Sequence, residues 1–152
     1  MKSISTFKYK LLSISALLIL AIGFSGFVGS EPIKALSINK KTINKYMEGF
    51  NSSDHAKILS CLTEDVIWEL PGSYLHKGKA AFDKEIENEA FTGSPVIKVS
   101  RMTEEDNVVI AEGTVQAKKK DGTVVSLVFC DVFEMRNGLI KKLTSYLMLK
   151  PN

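Results

Sequence analysis

Histidine and cysteine are scarce, two of each in 152 residues, and neither type is spaced as metal ligands are. There is no His-Glu-x-x-His, no Cys-x-x-Cys and no calcium-loop pattern, so the residues support no metal centre, and no cofactor is implied. With only Cys61 and Cys130, a disulfide scaffold is excluded; one bond between them in an exported protein and two free thiols both remain open. A Gly-x-Ser-x-Gly elbow and a dinucleotide fingerprint are missing as well. Gly72-Ser-Tyr-Leu-His-Lys-Gly78-Lys79 has five residues between its glycines, where a phosphate loop has four, and Ala80 stands where Ser or Thr is needed. Internal repeats, low-complexity stretches and interdomain linkers are absent too.

Net charge is the next thing the chain has little of. Lys2, Lys8 and Lys10 precede the first acidic residue, Glu31, which leaves 17 basic and 17 acidic residues from 31 to 152. A neutral body offers no nucleic-acid groove and no polybasic membrane patch. The 20 residues from Leu11 to Ser30 carry no charge, and after a basic start that reads as an export signal over residues 1–30, with a single membrane anchor as the alternative. Secretion, or delivery to a periplasm, is the expectation, with no stable membrane association once the signal is cleaved. Residues 31–36 form a short linker and 37–152 one domain, long enough to bury roughly two-thirds of the unfolded chain's surface without a disulfide. Asn51-Ser52-Ser53 also matches a glycosylation acceptor, a short pattern that arises often by chance.

Within that domain, Ile43, Tyr46, Met47 and Phe50 recur at spacings of three and four, which predicts a helix from Ser37 to about Phe50 with Tyr46 on its buried side. Asp54 is suited to cap a second helix carrying Ala56, Ile58, Leu59 and Leu62. A short strand, Val66 to Leu70, stops at Pro71-Gly72, and a third helix is expected from near Gly78 to about Ala90. The loop between them holds His76. Beyond Pro95, the turns Glu104-Glu105-Asp106-Asn107, Asp121-Gly122 and Asn137-Gly138 separate four β-rich runs: Val96 to Thr103, Val108 to Lys118, Thr123 to Met135 and Leu139 to Leu149. Helices followed by consecutive hairpins predict an α+β domain.

One residue breaks the pattern. Alternation puts Val125, Leu127, Phe129, Asp131, Phe133 and Met135 on one face of their strand, and Asp131 is its single charge. A carboxylate on an apolar face must be hydrogen-bonded, have its pKa raised, or border water. Tyr46 is a natural partner, since a buried phenol also seeks a hydrogen bond. Two readings follow. Either Phe129, Phe133, Met135, Trp68 and Leu70 line a cavity in which Tyr46 and Asp131 are the directional groups for a small apolar ligand, or a Tyr–Asp hydrogen bond merely fixes how the helix docks.

Four stretches carry a resemblance: Tyr46 to Asp54, Leu62 to Gly72, Gly78 to Phe82 and Asp131 to Ile140. In order and spacing they resemble the SnoaL-like proteins of the nuclear transport factor 2-like superfamily. The resemblance implies a cone-shaped roll of a strongly bent, mainly antiparallel sheet, with three N-terminal helices packed on its concave side. It also implies polyketide cyclases, ketosteroid isomerases, dehydratases, epoxide hydrolases and non-catalytic binders as relatives, among which fold alone does not choose. Tyr46 and Asp131 fall where the ketosteroid isomerases, the known example of a carboxylic acid kept neutral in an apolar site, place their oxyanion-hole tyrosine and aspartic acid. The position of those enzymes' base is Leu70 here, and Glu69 should face away, so a ketosteroid isomerase proper is not expected. His76, suited to proton transfer near neutrality, is the candidate substitute base. The alternative from another class is an association module, a homodimer or an envelope partner pairing on the open sheet.

Overall fold

The computed structural model describes residues 35–87 and 89–150, so the expected export signal and most of the linker lie outside the described residues. Helix α1 spans Ile38–Asn51 and is capped by Ser37, whose side chain accepts from the Lys40 amide. Both helix ends are tied to one strand, β3 (Phe91–Glu105). At the start, the Ser37 hydroxyl and the Asn39 amide donate to the Glu104 carboxylate. At the finish, the Asn51 amide donates to the Ile97 carbonyl at 3.2 Å and its oxygen accepts the Ile97 N–H at 2.6 Å. The side chain of the glycosylation match is thus engaged in holding the helix. Ser37→Ala removes the cap and one of the Glu104 bonds, and should lower the unfolding free energy by about 1 kcal/mol in a urea titration.

Helix α2, His55–Leu59, is shorter than the pattern predicts. Leu62 does not belong to it but opens β1, Leu62–Leu70, because the β-branched Thr63, Val66 and Ile67 favour extended backbone. Asp54 caps α2 as expected, accepting from the Lys57 amide. The segment expected as a loop forms a further strand, β2 (Tyr74–Lys77), folded back on β1 with Trp68 opposite His76. Gly72, with φ of 80°, makes that reversal possible. Helix α3 covers Lys79–Ile86 and ends a turn earlier than expected.

The last three strands, β4 (Val108–Lys119), β5 (Val124–Arg136) and β6 (Leu139–Leu149), follow the predicted runs closely. With β1, β2 and β3 they make one six-stranded sheet in the order β2-β1-β6-β5-β4-β3. All neighbours are antiparallel except β1 and β6, which run parallel. This is the α+β roll that the sequence suggests. Its core lies between α1 and the concave face, where Ile43, Tyr46 and Met47 meet Phe129, Phe133 and Leu143, all buried. Phe82 of α3 closes the core beside Tyr46, with ring centroids 6.3 Å apart.

Candidate functional site

Asp131 lies near the middle of β5, on the face that also buries Phe129 and Phe133. Its cross-strand partners are Ala111 on β4 and Ser145 on β6. The second pairing depends on a bulge. Met135 opposes Ile140 but Glu134 opposes Lys142, so Lys141 is skipped and the register slips by one. Since side chains alternate with a period of two, that one-residue slip sets Ser145 against Asp131 on the concave face.

Burial pushes the Asp131 carboxyl up to about 7, and a hydrogen bond from the Ser145 hydroxyl pulls the other way. Oδ1 is buried without a partner. Tyr46, on α1, is 3% exposed, and its phenol is pushed well above its ordinary range, first by burial and then by the nearby Asp131 charge. Tyr46 packs edge-on to Phe133 at 5.7 Å and to Phe50 at 5.0 Å, which fixes the ring.

A cavity of about 160 Å³ adjoins both groups. Tyr46, Met47 and Phe50 of α1 form one side, Pro95 and Ile97 of β3 with Val115 of β4 another, and Phe129, Asp131, Leu143, Ser145 and Leu147 the sheet wall. An apolar cavity near 150 Å³ suffices for a benzene-sized ring. Asp131, Tyr46 and Ser145 are the polar side chains on this wall.

Of the residues expected at the site, Tyr46, Phe129 and Asp131 line this cavity. Phe133 and Met135 are buried in the core alongside it. Trp68 stands outside the wall, stacked on Phe82 at 4.6 Å, and its Nε1–H donates to Ser145 Oγ at 3.2 Å. Leu70 ends β1 opposite Tyr74. His76, on the edge strand β2, faces Glu85 at 3.6 Å and the Tyr74 ring, not the cavity. Glu69 points to the other side of the sheet and pairs with Lys142 at 3.0 Å. Sequence reasoning missed Ser145, although a hydroxyl between Leu143 and Leu147 at alternate positions is the same signal that exposed Asp131.

His55 is a partly exposed clamp, with Nδ1 2.5 Å from Asp83 Oδ1 and Nε2 3.6 Å from Glu87. Its pKa is raised mainly by the Asp83 hydrogen bond. Cys61 and Cys130 are both free, the first buried and the second half-buried. Among the described residues, no cluster of three or more His, Cys, Asp or Glu side chains could hold a metal ion, and no helix is long and apolar enough to cross a membrane.

A SnoaL-like domain model matches residues 43–143. The chain belongs to the SnoaL-like family. The solved structures that this SnoaL-like domain resembles carry the same nuclear transport factor 2-like cone. TerC, crystallised with polyporic acid, is 24% identical with a TM-score of 0.67, over 74% of this chain and 92% of TerC. An LEH-like epoxide hydrolase of M. tuberculosis is 17% identical with a TM-score of 0.66, over 73% of this chain and 83% of its own. An NTF2-like protein from Anabaena variabilis is 20% identical with a TM-score of 0.67, over 79% and 97%. At these identities the likeness establishes the fold. No curated protein matches the chain in sequence.

Proposed function

We propose that this SnoaL-like domain binds a small, mainly apolar molecule beneath α1, with Asp131 and Tyr46 directing a carbonyl or hydroxyl of that molecule. The observation that carries the reading is the buried Asp131 carboxyl, one oxygen unpartnered, on the wall of a mainly apolar cavity. A polar group desolvated without a partner is costly, and a ligand atom can supply the missing hydrogen bond. TerC, which shares the fold, was crystallised with polyporic acid, and this supports a ligand-binding reading. The reading extends to chemistry. With a pKa of about 7, Asp131 can both give and take a proton at neutral pH, and with Tyr46 it can stabilise an enol-like oxyanion. Isomerisation, cyclisation and dehydration are the matching reaction types. Residues 1–30 act as an export signal in this proposal, so the domain works outside the cytoplasm.

The test is a thermal-shift screen with small hydrophobic carbonyl compounds at pH 6. Hits raise the melting temperature of the wild type and not of Asp131→Leu, and the shift shrinks at pH 8, where Asp131 has lost its proton. Equal, small shifts in both proteins reject the reading.

One observation favours a second reading, association through the sheet's outer face. There Ile110, Tyr146 and Met148 are 37%, 49% and 63% exposed, and they adjoin Val132, Cys130 and Val128 through the strand register. An apolar patch of this kind marks contact surfaces. Light scattering that gives a monomer mass at micromolar concentration rejects it.

A further inference from the structure

Trp68 stands off the cavity wall yet reaches Asp131 through one side chain. Its Nε1–H donates to Ser145 Oγ at 3.2 Å, and Ser145 is the residue directly across from Asp131. An indole N–H can only donate, whereas a hydroxyl has one hydrogen and two lone pairs. With Trp68 on a lone pair, the Ser145 hydrogen is left to turn toward Asp131, and Ser145 does pull the Asp131 carboxyl in the direction such a donor would, against burial. Ser145 is 5% exposed, so bulk water competes little for that hydrogen.

We propose that Trp68 is a positioning residue: by donating to Ser145 it turns the Ser145 hydroxyl toward the Asp131 carboxyl directly across the sheet. A hydroxyl so directed favours the charged form of the acid, against the burial that disfavours it. What the relay does for a bound molecule rests on the ligand-binding reading, but the relay is a property of the protein alone and is tested without a ligand. The indole is held independently of this bond, stacked on Phe82 and edge-on to Tyr74 at 5.4 Å and Phe50 at 6.4 Å. Trp68→Phe therefore keeps an aromatic ring in the stack and removes the donor. Tyr46 from α1, Tyr74 from β2 and the adjacent Cys130 feel the Asp131 charge, and all three have their pKa raised, so they stay neutral while Asp131 titrates.

The experiment follows the Asp131 carboxyl carbon by NMR from pH 4 to pH 9. Trp68→Phe and Ser145→Ala each raise its midpoint by about 0.5 to 1 on the pH scale, the worth of one modest hydrogen bond. The double variant goes no higher than Ser145→Ala, and Ser145→Thr, which keeps the hydroxyl, titrates like the wild type. A wild-type midpoint in Trp68→Phe, or effects that add in the double variant, overturns the relay. The unsubstituted protein gives a separate reading, because the chain has a single tryptophan. Its indole N–H resonance shifts as Asp131 titrates and is flat in Ser145→Ala; a flat indole signal in the wild type also overturns it. Failure of every ligand to bind, with the titrations as expected, removes the proposed function and leaves the relay standing.

Discussion

Asp131→Asn will be more stable than the wild type at pH 8, and the difference will be built up between pH 4 and pH 7. In the unfolded chain Asp131 ionises with a pKa of 3.8, whereas in the fold it holds its proton to about 7 because burial penalises the charge. Between those values the folded state binds one more proton than the unfolded state, so raising the pH removes stability. The contribution is fully present below pH 3.8 and gone once the pH has passed 7. Three pH units of difference correspond to about 4 kcal/mol, as an order of magnitude. A buried Asn amide keeps the shape without the charge, at a pH-independent cost of about 1 kcal/mol for imperfect hydrogen bonding. Urea unfolding should show the wild type losing about 3 kcal/mol from pH 5 to pH 8 and the variant losing much less. Parallel pH profiles would mean that Asp131 is not buried as described.

Other groups bend the profile too, His55 and Asp65 among them, and the comparison with the variant separates them. His55, its pKa raised by Asp83, contributes stability that fades as the pH rises through its folded pKa, in the same direction as Asp131. Asp65, held down to about 2 chiefly by its hydrogen bond to Arg136, contributes above the ordinary carboxylate range and loses that contribution only in strong acid. Neither is altered at position 131. The predicted gain at pH 8 also has a functional meaning. A carboxyl that destabilises its own fold at neutral pH is unexpected in a purely structural role, and strain of this kind is found where a site is held ready for a partner.

The sheet was legible because its turns are chemically explicit. Asp106, Asn137, Gly122 and Gly138 all adopt positive φ, a conformation these residue types accept and most others resist, so each hairpin announced itself. Asp131 was legible for a related reason, since strict alternation in β5 leaves no doubt about which face a charge occupies. The parallel pairing of β1 with β6 was not, because it joins residues far apart in sequence with no turn between them. Strand β2 was hidden by its four-residue length, and with it the place of His76. The cavity wall was only half visible. Tyr46, Met47 and Phe50 share a helical face that the spacing reveals, but Pro95, Ile97 and Val115 reach the site through sheet curvature, which no single segment encodes. Ser145 hinged on the bulge at Lys141. In hindsight Ile140-Lys141-Lys142-Leu143 carries it, as two consecutive polar residues between two inward-facing apolar ones interrupt the period of two.

That curvature has its own residue, and adding one methyl group to it should have a large effect. Gly113 sits mid-strand in β4, opposite Val99 on β3 and Phe129 on β5. A glycine there forgoes side-chain packing and adds unfolded-chain entropy, so something must require it. The requirement is space: a Cβ at this position would lie 2.1 Å from the Lys98 carbonyl oxygen and 2.8 Å from two atoms of the Phe129 ring. Just beside it, the β3 register skips Ser100 between Val99 and Arg101, a bulge of the kind that bends a strand. The bend and the missing side chain together let β3 bring Pro95 and Ile97 to the cavity wall near Asp131. Gly113→Ala should therefore cost about 3 kcal/mol, at the upper end of overpacking effects, because the nearer obstacle is backbone and cannot rotate aside. Adding Phe129→Ala would relieve the ring clash and leave the carbonyl clash, so a double-mutant cycle should show coupling of about 1 kcal/mol and not full rescue. Fluorescence-monitored urea unfolding of the four proteins reads both quantities. A Gly113→Ala protein within about 0.5 kcal/mol of the wild type would show that β3 and β4 do not approach so closely, and the curved wall of the cavity would have to be drawn differently.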